Sequence, residues 1–235
     1  MAIIDKPTDY FNTKLYTGNG GTQSITGVGF QPDFNWTKSR TTTQSHVLTD
    51  AVRGVTKTLF TNATQAEATL SGITAFGTDG YTLGASDLWS ENSTSFASWN
   101  WLGANGTASN TTGSIDSTVS ANTTSGFSIV SYAGNSTAGA TIGHSLGVAP
   151  KMIIVKDRDG ADSWVVYHNS LAITEYLILN STSAALTDNE VIFYDTDPTS
   201  SVFTVGAHNT VNQSGHNYIA YCFAEKQGYS KFGSY

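Results

Sequence analysis

The sequence predicts an all-β protein built from two tandem homologous antiparallel β-sandwich units, and three observations carry that prediction. The first is composition. Charged residues make up 12% of the 235 residues, against about 25% in an average globular protein, and Gly, Ser, Thr and Asn fill the difference, a mixture that serves helices poorly. The second is punctuation: short runs rich in Val, Ile, Thr, Phe, Tyr and Trp are bounded by Gly, Asn, Asp or Ser, as strands are. The third is an internal repeat.

The repeat is clearest where Gly29, Pro32, Lys38 and Arg40 fall on Gly147, Pro150, Lys156 and Arg158, an offset of 118 that runs on through Thr56 with Thr174 and Leu59 with Leu177. Upstream, residues 11–19 match 127–135 at an offset of 116. Downstream, Tyr81-Thr82-Leu83-Gly84 matches Phe203-Thr204-Val205-Gly206, and residues 96–101 match 218–223, both at 122. Compositional bias does not hold Pro, Lys, Arg and aromatic positions in one order over about 90 residues, so the drifting offsets mark loop insertions between two copies of one unit.

In chain order, strands are predicted at 11–16, 33–39, 46–50, 56–61, 80–84 and 96–102, with counterparts at 127–132, 151–157, 164–168, 174–179, 202–206 and 217–224. Alternation puts Phe34 and Trp36 on one face, as it does Met152 and Ile154, while residues 37–40 run out to solvent. The Gly, Ala, Asn, Ser and Thr stretch at 103–125 reads as a linker or a short, poorly packed strand. The domains are therefore 1–108, the first repeat, and 109–235, a linker plus the second repeat. Residues 228–235 echo Gly126-Phe127-Ser128 and read as the start of a truncated third repeat, whose strand would cover an open edge of the second unit.

Several function classes fall away on composition. A net charge of -7 with 11 Lys plus Arg leaves no basic patch to neutralise phosphates, so nucleic acid is not an expected partner. No apolar run reaches the length of a membrane span and no signal-peptide core opens the chain, so neither membrane insertion nor secretion is expected. Cys222, between Tyr221 and Phe223, reads as a reduced core thiol.

The motifs that could carry chemistry each have a plainer reading. Gly143-His144-Ser145-Leu146-Gly147 has the spelling of a nucleophile elbow, but Pro150 and a strand follow where a helix is needed, so a glycine-rich turn is expected. Asp157, Asp159 and Asp162 around Gly160 are the candidate metal ligands, since a calcium loop begins this way; the acid that would close such a loop is missing, and a hairpin turn uses the same residues. His46, His144, His168, His208 and His216 show no metal-ligand spacing and are expected at the surface or at strand edges. Trp36, Trp99 and Trp101 align with Ile154, Tyr221 and Phe223 and are expected in the core. Trp89 aligns with Val211 in a turn-rich segment and is the candidate glycan contact. The close acid pairs, Asp195 with Asp197 and Asp87 with Glu91, fit turns better than a hydrolase cleft. No cofactor and no catalytic residue is expected.

Residues 5–20, the strands Gly29-Phe30-Gln31-Pro32-Asp33-Phe34-Asn35-Trp36 and Leu146-Gly147-Val148-Ala149-Pro150-Lys151-Met152-Ile153-Ile154, and the closing segment 221–235 together resemble a repeat domain of structural proteins encoded by marine tailed phages. The resemblance covers nearly the whole chain and implies a concanavalin-like β-sandwich in a virion component, in one to several copies per chain, with no established catalytic residues to transfer. The expected function is a non-enzymatic virion surface protein, a capsid or tail decoration or cement protein made in the bacterial host cytoplasm. Its expected partners are capsid or tail subunits and further copies of itself in a symmetric oligomer. The alternative is a receptor- or carbohydrate-binding tail-fibre or adhesin module that meets a host surface glycan through loops 86–95 and 207–216.

Overall fold

A computed structural model describes residues 3–234. Those residues form two compact units, each an antiparallel two-layer β structure. The first comprises Lys6–Ala63 and Glu67–Gly106; the second runs from Thr107 onward and also takes in the chain start up to Asp5 and Thr64–Ala66.

The first unit contains β1 (Phe11–Thr17), β2 (Gln23–Thr26), β3 (Phe34–Ser39), β4 (Val47–Asp50), β5 (Lys57–Phe60), β6 (Ala68–Thr69), β7 (Ile73–Gly77), β8 (Gly80–Leu83), the one-turn helix α1 (Asp87–Ser90) and β9 (Ser95–Trp101). One sheet has the order β1-β9-β3-β4-β5-β6 and the other β2-β8-β7. Ile25, Ile73, Tyr81 and Leu83 of the small sheet meet Val47 and Phe60 of the large one, and Trp89 of α1 closes the cluster with no exposed surface. The Trp89 ring occupies the space a side chain at Gly72 would need, reaching within 2.5 Å of a Cβ there.

The second unit contains β10 (Ala108–Asn110), β11 (Ser117–Asn122), β12 (Phe127–Ala133), β13 (Ala140–Gly143), β14 (Met152–Asp157), β15 (Val165–His168), β16 (Glu175–Ile178), β17 (Leu186–Thr187), α2 (Asn189–Ile192), β18 (Val202–Val205), α3 (Asn209–Asn212) and β19 (Asn217–Phe223). Its large sheet runs β10-β11-β12-β19-β14-β15-β16-β17 and its small one is the pair β13-β18. Between them lie Val130, Tyr132, Ile142, Ile153, Phe203 and Ala220 among other buried side chains.

The order β1-β9-β3-β4-β5-β6 of the first unit corresponds to β12-β19-β14-β15-β16-β17 of the second, and several registers correspond too. Asn35 faces Asn100 across β3 and β9, and Ile153 faces Cys222 across β14 and β19. Phe11 faces Trp101 as Phe127 faces Phe223. Val47 faces Phe60 as Val165 faces Ile178, and Gln23 faces Leu83 as Ala140 faces Val205. The first three of these pairs occupy positions that the sequence alignment matches between the units.

Several expectations need correction. The stretch 103–125 is more than a linker, since β10 and β11 form there and add two strands beside β12. Val119 of β11 is buried in the core cluster, which gives this weakly apolar strand its anchor. β12 pairs with β11 and β19 of its own unit, so the opening strand of the second copy does not complete the first copy's sheet. Residues 228–234 likewise form no strand: a tight turn bridges Lys226 to Ser230, and Ile4 N–H donates to the Gln227 carbonyl at 3.1 Å. With β11 already on that edge, no further strand is needed there; Tyr235 lies outside the described residues. Thr37 and Ser39 are buried, not solvent-facing, because they point between the sheets.

Trp36, Trp99 and Trp101 also depart from expectation, being half-buried on the face of the large sheet turned away from the inter-sheet cluster. Ser98 fixes the orientation: its hydroxyl meets Tyr81 of the small sheet at 2.6 Å, so Ser98 and Asn100 point in while Trp99 and Trp101 point out. There they form an aromatic row, with ring centroids of Phe11 and Trp101 4.5 Å apart and those of Phe34 and Trp101 5.0 Å apart.

Candidate functional site

Four of the sequence-derived candidates, Asp157, Asp159, Asp162 and His216, lie at or against the turn between β14 and β15. Asp157 is fully buried, and its Oδ1 accepts the N–H groups of Asp159 at 2.8 Å and Gly160 at 2.9 Å while its Oδ2 meets His216 Nδ1 at 2.8 Å. Asp159 turns its Oδ2 to the Asn217 N–H and amide, at 2.7 and 2.9 Å. Asp162 receives the Thr210 hydroxyl at 3.5 Å. Lys156, also fully buried, donates to the Asp157 carbonyl and to the Gly160 carbonyl at 2.9 Å.

Burial pushes the Lys156 ammonium down to about 8, partly offset by Asp157 and Asp162. The bond from Asp157 raises His216 above the ordinary imidazole value, with Asp159 and Asp162 adding to it. This is a charge-rich turn, but its oxygens serve backbone N–H groups and His216. Among the described residues no three His, Cys, Asp or Glu side chains form a metal-ligand group.

The first unit builds the same turn with less charge. Lys38 donates to the carbonyls of Ser39 at 2.7 Å and Thr42 at 3.1 Å, and the Ser39 hydroxyl accepts the N–H groups of Thr41 and Thr42. Lys38 and Lys156 are aligned, as are Ser39 and Asp157. A lysine that caps carbonyls and a side-chain oxygen that caps N–H groups are thus the turn's common mechanics, and the histidine is the second unit's addition. Glu91, one of the paired acids, reaches this turn through Thr42 and Gln44.

The other candidates lie apart. Ser145 is exposed with a positive φ of 58° and accepts the Asn110 amide at 2.7 Å. The adjacent His144 is fully buried, against its expected surface place. Its Nε2 bonds the Thr199 carbonyl, its Nδ1 accepts the Leu146 N–H, and burial lowers its basicity. Both ring nitrogens are committed to the turn, so His144 is not aimed at Ser145 as a base. His208 caps α3 by accepting the Thr210 N–H, and His168 accepts the Ser170 N–H.

Trp89 is completely enclosed, which removes it as a glycan contact: it anchors the segment 86–95 under the small sheet. Its counterpart Val211 is enclosed in the same way within 207–216. Asp197 accepts the Tyr167 hydroxyl at 2.8 Å, and Asp195 sits in a left-handed turn with φ of 43°.

Sequence reasoning missed a buried ionic network in the first unit. Arg53 lies against Asp50 at 2.5 Å and Glu67 at 2.9 Å, with the Arg53 and Asp50 side chains fully buried. Asp33 accepts the Gly103 and Asn105 N–H groups at 2.7 and 3.0 Å, and burial raises its carboxyl above the usual range. Its other oxygen, Oδ1, is buried with no partner. No spacing marks these acids in the chain, because the second copy has Lys151, His168 and Leu171 at the positions of Asp33, Asp50 and Arg53. Breaking such a pair from one side costs about 3–5 kcal/mol.

Fold and site together define an all-β, two-unit sandwich protein whose buried polar groups hold turns and, in the first unit, also fill the space between the sheets. The chain belongs to the family described as Domain of unknown function (DUF7483), whose model matches residues 6–235. No curated protein and no solved structure matches it significantly.

Proposed function

We propose that this chain is a non-enzymatic structural protein of the outer surface of a tailed-phage particle, a capsid or tail decoration or cement protein assembled as a symmetric oligomer. The observation that carries the reading is how the buried polar groups are used. Buried Asp157, Lys156 and Ser39 and half-buried Lys38 bond backbone groups of the turns they sit in, and buried His144 ties its own turn to the Thr199 carbonyl, which suits a scaffold. The family resemblance and the low-charge Ser, Thr and Asn surface, able to bond neighbouring subunits through many neutral hydrogen bonds, support it further.

The test is to purify intact particles from the producing host and look for the chain by quantitative mass spectrometry, then by labelled electron microscopy. A fixed copy number per particle on the head or tail is the expected result. Its absence from particles would overturn the reading. Sugar-specific binding of the purified chain on a glycan array would replace it with the adhesin alternative.

A further inference from the structure

Besides the added strands β10 and β11, the second unit differs from the first at two surfaces. The first is a cleft of about 880 Å³ where residues 148–151 face the turn at 225–231. Val148 and Ala149 supply an apolar floor, and Lys151, Lys226 and Lys231 line it against one acid, Glu225. Lys151 stands where the first unit buries Asp33. Three of the chain's 11 basic residues therefore gather at one cleft of a protein with net charge -7.

The second departure lies between β17 and β18. The first unit crosses this interval, residues 70–79, with β7; the second crosses residues 188–201 with α2 instead. Val191 and Tyr194 stand 43% and 41% exposed there, two of the few large apolar side chains left in solvent. Asp188, Glu190 and Asp197 flank them in the chain, and no Lys or Arg occurs anywhere from residue 159 to 225. Asp188, Tyr194 and Asp195 all hold positive φ, at 80°, 57° and 43°. Such non-glycine conformations cost energy and persist where surrounding contacts enforce them. Asn189 ties α2 down, donating to the Ile173 carbonyl at 2.7 Å and accepting the Phe193 N–H at 3.2 Å, while its carbonyl accepts the Tyr194 N–H at 2.9 Å.

We propose that copies of this chain associate head to tail through the second unit, the acidic and apolar α2 surface of one copy seating in the lysine-lined cleft of the next. Charge selects the occupant. An apolar floor ringed by ammonium groups favours a segment with carboxylates around an apolar tip, and the chain presents one, at 188–197. Because the two surfaces are different patches of one unit, the contact is heterologous, and repeating it generates a ring or an open chain of copies. The inference deepens the assembly role proposed above and rests on that reading only for the expectation that copies meet. Its test uses the isolated chain, so it and the virion placement fail separately.

The experiment is sedimentation velocity on the full chain and on two double charge reversals, Lys151→Glu with Lys231→Glu and Asp188→Lys with Glu190→Lys, each checked for native circular dichroism. Wild type is expected to self-associate in a concentration-dependent manner that weakens as salt rises past about 0.15 M, where screening acts within about 8 Å. Either reversal alone should weaken association at least about tenfold. Mixing the two reversed variants should restore a complex, because the mutant cleft and the mutant α2 surface are again opposite in charge. Wild type that stays monomeric at low salt, or association that survives both reversals, would overturn the proposal. Should a reversal fail to fold, the milder Val191→Ser and Lys231→Gln replace it, with the same expected loss. Recovery of binding only on adding a different acidic protein would overturn the choice of occupant.

Discussion

The two units share much of their large-sheet strand order and several registers but fill the space between their sheets differently. In the second unit the inward positions carry Ile153, Val155, Phe203, Ala220 and Cys222, all buried in one apolar cluster. The aligned positions in the first are Asn35, Thr37, Tyr81, Ser98 and Asn100, equally buried but joined by hydrogen bonds. Asn35 donates to Asn100 Oδ1 at 2.8 Å, Thr37 to Asn35 Oδ1 at 2.7 Å, and Asn100 to the Asn12 carbonyl at 3.1 Å. One backbone is therefore stable around either interior. The lesson is that register is set by the strand pairing and by the flanking apolar positions common to both units, such as Val47 with Val165 and Leu83 with Val205, and that the central side chains are free to be polar if every one of them finds a partner.

The largest expected effect breaks the apolar interior. Ile153→Ala leaves a cavity among packed neighbours and should lower unfolding stability by about 2–5 kcal/mol, read by denaturant unfolding of the intact chain. Next comes the polar interior. Asn100→Ala orphans the Asn35 amide and should cost about 1–3 kcal/mol. Replacing the network as a whole with its counterparts, Asn35→Ile, Thr37→Val, Tyr81→Phe, Ser98→Ala and Asn100→Cys together, should cost less than that single change, because no donor is left unpaired. A five-fold variant less stable than Asn100→Ala would show that the two interiors are not interchangeable.

The smallest effect concerns the turn that the two units build differently. His216 has a folded value raised above the ordinary 6.5 by Asp157, so its contribution to stability is complete below about 6.5 and is lost as pH rises through the raised value. His216→Asn should flatten that decline in thermal unfolding midpoints. In the first unit His46, beside Lys38, is instead held below its ordinary value by burial and by the lysine, so its contribution is present above about 6.5 and is lost as pH falls through the lowered value, the opposite dependence.

Much of the fold was legible in the chain, and what was hidden has physical causes. The long strands of both units fall within a residue or two of their predicted bounds, because β-branched and aromatic runs between Gly and Asn leave little else to form. β10 and β11 were only half legible because their Ala, Ser, Thr and Asn composition reads as a linker or as a short, poorly packed strand, and tertiary packing of Val119, with Ser117 and Ser120 also buried, decides for strands. The polar interior escaped for the same reason: Asn35, Thr37, Ser98 and Asn100 read as surface until their partners are known. Trp89 shows the converse, since a tryptophan in a turn-rich segment looks available and is in fact the segment's anchor. At the candidate site the acids of the β14–β15 turn were visible as a cluster, but His216, 59 residues further along, could only be joined to Asp157 by the sheet.

A nuclear Overhauser spectrum of the isotopically labelled chain tests most directly whether one backbone carries both interiors. The account predicts cross-strand contacts linking Asn35 with Asn100 and Ile153 with Cys222, in the same register in both units. Contacts displaced by one residue in either unit would contradict it.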